Sequence, residues 1–237
     1  MYNKKISQIY LNELIKKHLM TIKSRTERVL YVLTITIRIL VFISFLWAFL
    51  EGNWVIVFLS LLTYLSTYLS YWFEKTSNVD LPVEFELIVI LFLFATLFLG
   101  EIGKFYELFW WWDILLHTFS AFIFGCIGFM ILFVLNQSKK IRAKPIWIVI
   151  FSFSFALAIG ALWEIFEFSM DMSFGLSMQR SSLIDTMTDL IVDAIGAFVA
   201  SFLGFLYLKH DKMSFVSKFT HSFIKYNPKF LGKKKNN

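Results

Sequence analysis

A chain of 237 residues that is 58% hydrophobic and 19% aromatic, with 17% charged residues where soluble domains carry roughly 25%, is a membrane protein by composition rather than a soluble domain. The formal net charge of +6 does not indicate a nucleic-acid partner, because the basic residues gather in blocks flanking apolar runs, as the positive-inside bias produces. The single cysteine, Cys126, excludes an internal disulfide and reads as a small buried apolar residue.

In chain order, residues 1–28 place Ile6, Ile9, Tyr10, Leu14 and Ile15 at helical spacing among lysines, which predicts a cytoplasmic amphipathic helix on the membrane surface. The apolar run 29–50 is long enough to span and has no small-residue cleavage site, so it reads as an uncleaved anchor. Further spans are predicted at 54–73, 83–100, 110–135, 146–170 and 185–208, and 209–237 reads as a basic, loosely ordered cytoplasmic tail. Pro82, Pro145 and Pro228 fall outside the runs, so proline breaks no span. The expected fold is an all-α integral membrane protein of the cell membrane with six transmembrane helices. Both termini are placed inside, because the basic loop 136–145 lies inside while the outer connections hold only Lys104 and Arg180. Helices four to six carry Gly125, Gly128, Gly160, Gly196 and Gly204, small residues that let membrane helices approach closely, and these three are expected to form the packed core.

Those same three helices hold the acids. At 1.5 Å per residue from the outer interface, Glu167 lies roughly 5 Å and Glu164 roughly 9 Å deep, Asp189 about 6 Å and Asp193 about 12 Å, with Asp185, Asp113 and Asp171 at the rim and His117 a turn below Asp113. Asp113 and His117, Glu164 and Glu167, and the three aspartates of helix six each occupy one helix face. The expectation is a carboxylate-lined pocket between helices four, five and six, open to the extracytoplasmic side. Carboxylates this dense in a low-dielectric site need protons or a cation. The oxygen ligands with one imidazole suit a divalent metal such as Mg, Mn or Zn, held by Asp113, His117, Glu164, Glu167, Asp185 and Asp189. Trp110 to Trp112 and Trp163 read as an interfacial belt.

Arg38, near the middle of helix one, lies at the estimated depth of Asp193, and the two are expected to form a structural pair. Lys104 and Arg180 are candidates for drawing an anionic group to the pocket's mouth, against the plainer reading that they balance Glu101, Glu107 and Asp171.

Trp112-Asp113 through His117, Trp163-Glu164-Ile165-Phe166-Glu167-Phe168, and Asp185 through Asp189 and Asp193 to Gly196 resemble the uncharacterised bacterial inner-membrane family typified by YjdF, over roughly residues 80–208. One departure is Ala121 after Ser120, where a Ser-Gly pair is expected. The motifs are more loosely similar to VanZ-like membrane proteins, in which an Asn stands at the place of Asp193. The resemblance implies membership and motif importance, and brings no reaction with it.

Three functions follow from the residues. The first is a metal-dependent hydrolase or transferase acting on a lipid or lipid-linked phosphate, with Glu164 or His117 as general base. No Ser or Cys nucleophile with a matching base stands against it as a covalent alternative. The second is a proton- or metal-ion transporter, for which intramembrane acids are also the usual parts, although the two halves lack corresponding broken helices. The third is a noncatalytic envelope or tolerance protein with the acids as structural glue.

Overall fold

The structure is a computed structural model that describes residues 25–175, 178–179, 183–210 and 215–231, with side chains from 28 onward. The amphipathic segment expected over 1–28 lies almost wholly outside the described residues, as does Arg180. Every regular element among the described residues is helical: α1 (Arg25–Leu50), α2 (Trp54–Ser66), α3 (Leu69–Ser77), α4 (Val83–Leu93), a π-helix (Phe94–Ile102), α5 (Phe105–Leu108), α6 (Trp112–Gln137), α7 (Pro145–Phe174), α8 (Leu183–His210), α9 (Phe215–Tyr226) and a closing 3-10 turn (Pro228–Leu231). Five helices are long and apolar enough to cross a membrane, or six if the bent pair α2 and α3 counts as one span.

The chain divides into two compact units. In the first, Leu30, Ile37 and Val41 of α1 meet Ile90 of α4, with Tyr64, Val83, Leu87, Phe94 and Phe98 packed around them. Trp47, Leu50, Trp54 and Val55 turn outward, which suits a lipid-facing surface.

The predicted span 54–73 is not one straight helix. It bends by 43° between α2 and α3. The cause is local: Ser66 Oγ donates to Thr63 O at 2.7 Å and Thr67 Oγ1 to Tyr64 O at 2.7 Å, side-chain bonds that divert carbonyls of the helical ladder. The predicted span 83–100 likewise changes winding, continuing as a π-helix from Phe94.

The second unit centres on α6, α7 and α8, with α7 antiparallel to the other two by connectivity. Their approach is set by small residues. A Cβ at Gly196 would collide with the carbonyl oxygen of Thr118, and one at Gly125 would lie 2.6 Å from the Ala200 methyl. Ser152 Oγ donates to Gly125 O at 2.7 Å, and Ser201 Oγ, 3.2 Å from Ser152 Oγ, joins the third helix to the contact. Helix α7 runs past the expected end at 170 because its terminator is Gly175, left-handed at φ 65, whose N–H bonds Asp171 O.

Within the tail, residues 215–231 form a helix and a closing 3-10 turn. Helix α9 buries Val216, Phe219 and Phe223. At its end the buried Asn227 accepts from the Asp80 N–H at 2.9 Å and donates to Asp80 O, fixing the tail to the chain before α4.

Candidate functional site

The acids lie where α6 begins, α7 ends and α8 begins. Counted along each helix, His117, Glu164 and Asp189 stand about 8, 15 and 9 Å from those ends. The 30 residues of α7 reach about 45 Å, beyond the hydrocarbon thickness, so its last turns can extend past the other two. Exposure falls to 8% at His117, 5% at Glu164, 4% at Asp189 and 1% at Asp193.

His117 is the hub. Its Nε2 lies 3.8 Å from Asp113 Oδ1 and 4.0 Å from Glu164 Oε1, while its Nδ1 lies 3.4 Å from Asp193 Oδ1. One imidazole thus faces carboxylates on all three helices. Asp193 fits between α7 and α8 because Gly160 leaves the space: a Cβ there would overlap its carboxylate. Among the described residues, no hydrogen-bond partner reaches either oxygen of Glu164 or of Asp193. An ionised carboxylate held this way costs several kcal/mol in order of magnitude unless positive charge is near.

Two sets of side chains bring ligand atoms within 4.8 Å of one another: His117, Glu164 and Asp189, all buried, and Asp113, Asp185 and Asp189. Carboxylate oxygens with a single imidazole fit Mg, Mn or Zn by donor type. Glu167, expected among the ligands, stands outside both sets, half-buried, and accepts the Trp163 indole N–H at 2.9 Å. Trp163 therefore has a polar partner that a simple interfacial belt would not require.

The remaining expected residues have their own surroundings. Arg38 donates through Nε to Thr67 Oγ1 at 3.0 Å, with its guanidinium 3.9 Å over the Tyr68 ring, both within the first unit. Asp193, its expected partner, belongs to the second unit, where it lies 3.4 Å from His117 Nδ1. Lys104 is exposed and 4.0 Å from Glu107 Oε2, the ordinary surface pair of the plainer reading. Asp171 organises the turn after α7, accepting the N–H groups of Met178 at 2.7 Å and Gln179 at 3.0 Å.

Gln179 and Gly160 also belong to the surroundings of the acids. Gln179 Nε2 donates to Glu164 O at 3.3 Å and to Thr186 Oγ1 at 2.9 Å, tying α7 to α8 beside the acids. A lone Gln in a loop carries no periodic signal. Gly160 could have been found by its place one helical turn before Glu164 on an otherwise apolar helix.

A family model described as "Predicted membrane protein (DUF2238)" matches residues 30–210, which contain every one of these acids. A relative from Thermotoga maritima, given as "Uncharacterized protein", is 28% identical over 128 residues, covering 54% of this chain and 65% of its own length. The aligned region thus spans a little under two thirds of that relative. No solved structure matches.

Proposed function

This chain belongs to the DUF2238 family of predicted membrane proteins, and from that premise we propose that it is a divalent-metal-dependent enzyme acting on a lipid or lipid-linked phosphate, seated in the cell membrane with its acids toward the extracytoplasmic face and both termini inside. The observation that carries the reading is the buried set His117, Glu164 and Asp189, with both Glu164 oxygens lacking a hydrogen-bond partner among the described residues. A carboxylate placed in this way is suited to a cation.

A bound Mg, Mn or Zn ion would neutralise phosphate oxygens and lower the cost of forming hydroxide from water. The chain's own residues do the rest. One Glu164 oxygen would hold the ion, and its other oxygen would take the proton of the attacking water. The water oxygen would bond to the terminal phosphorus as the bond from that phosphorus to its leaving oxygen breaks, the lipid's oxygen in a monophosphate or the bridging oxygen in a diphosphate, and the proton would pass to that leaving oxygen. Asp193, 3.4 Å from His117 Nδ1, orients the imidazole so that Nε2 faces the ligand position, as an outer carboxylate commonly does for a ligating histidine. Helices with outward apolar faces, such as Leu183, Ile184 and Phe166 near this end, give a lipid tail a place to lie.

Transport draws less support. Beyond Asp193 no carboxylate, imidazole or amine follows on α8 before Lys209, and none precedes Glu164 on α7. The helices approach closely there at the Gly196, Gly125 and Ser152 contacts, so among the described residues of α7 and α8 no such group continues a path from the acids toward the other end. The three motifs also support the likeness to the family typified by YjdF, while the looser similarity to VanZ-like proteins draws no support from these matches.

The test is release of inorganic phosphate from phosphatidic acid and from a polyprenyl diphosphate by purified full-length protein in lipid nanodiscs. Release with added Mg, Mn or Zn, abolished by chelator and by Asp189→Asn, is expected from at least one substrate class. Chelator-insensitive release, or none from either class with all three metals, would overturn the reading.

A further inference from the structure

We propose that the site is dinuclear, holding two divalent cations bridged by the Asp189 carboxylate; the inference rests on the metal-dependent reading above and gives it a stoichiometry. The acids do not form a single ligand set. They fall into two, His117 with Glu164 and Asp113 with Asp185, each completed by Asp189. The sets adjoin, because His117 Nε2 of one lies 3.8 Å from Asp113 Oδ1 of the other.

The second observation is independent of the clustering. Glu164 is 5% exposed, points an oxygen to within 4.0 Å of His117 Nε2, and has no hydrogen-bond partner on either oxygen among the described residues. It is a buried acceptor turned into the site, with Gln179 and Thr186 beside it but no hydrogen bond of ordinary geometry to either oxygen among the described residues. A carboxylate has two oxygens, and Asp189 is the one residue that both sets share, so it is the group that could serve both cations. Cations sharing a carboxylate stand about 3.5–4 Å apart, the spacing that clamps both the attacking and leaving oxygens of a phosphate. The ligand implied is therefore a phosphate group that spans both ions.

Titration of the metal-free, full-length protein in detergent with Mn²⁺, read by electron paramagnetic resonance, decides the matter. The expected result is two Mn²⁺ bound per chain with an exchange-coupled signal. Asp185→Asn and Glu164→Gln should each bind one ion without coupling, and Asp189→Asn should lose the coupling altogether. One ion per chain in the wild type, or two uncoupled ions, overturns the dinuclear site while leaving the metal-dependent reading standing. No bound Mn²⁺, Mg²⁺ or Zn²⁺ overturns both. Because the wild-type signal alone separates these cases, a variant that fails to fold does not affect the decision.

Discussion

Glu164 and Asp193 each bury a carboxylate that lies against His117, at 4.0 and 3.4 Å, with no hydrogen bond of ordinary geometry among the described residues, so each weighs against the folded state unless a cation or the imidazole's charge offsets it. This separates a functional site from structural glue. If the acids serve binding, Glu164→Gln and Asp193→Asn should stabilise the metal-free protein by about 1–3 kcal/mol, seen as a higher midpoint of thermal unfolding in detergent, while lowering metal affinity. A lower midpoint for both would favour glue. Gly160→Ala should displace Asp193 and weaken metal binding by roughly 10–100-fold without touching a ligand, measured by competitive titration. That Glu164, Asp189 and Asp193 would be buried was legible in the sequence, because they stand inside apolar runs. Which acid faces which was less so, because depth along a helix says nothing of azimuth, and Asp193 lies against His117.

At the scale of elements, helical periodicity located the apolar runs and could not show where their winding changes. The bend between α2 and α3 depends on Ser66 and Thr67 bonding back to the preceding turn, and such residues leave mean hydropathy almost unaltered. Arg38 is held at this break by Thr67 and Tyr68. Thr67→Val should therefore cost about 1 kcal/mol, by leaving a half-buried guanidinium donor without its hydroxyl partner, and a thermal midpoint equal to wild type would count against that role. The tail gives a parallel case. Its lysines suggested loose chain, yet Phe219 and Phe223 at helical spacing bury one face of α9, and Asn227 bonds both backbone groups of Asp80. Asn227→Ala should make residues 215–231 exchange amide hydrogens faster, with α6 to α8 unchanged.

For the whole molecule, the all-helical membrane architecture follows from composition and run length, and the described helices supply five spans or six. The difference matters, because six put both termini on one side and five separate them. With α2 and α3 counted as one span, Glu101→Cys should react with a membrane-impermeant maleimide in intact cells and Arg142→Cys should not; the native Cys126 is fully buried. The reverse pattern would turn the acids toward the cytoplasm. The three-helix bundle gathers its acids at one end, and glycine, alanine and serine contacts hold α6, α7 and α8 together below them. The account stands most directly on whether that acid cluster holds metal. Full-length protein supplied with Mg, Mn and Zn, desalted and analysed by mass spectrometry for bound metal, is predicted to retain stoichiometric divalent ion that Asp189→Asn lacks; wild-type protein with no more metal than the variant would contradict it.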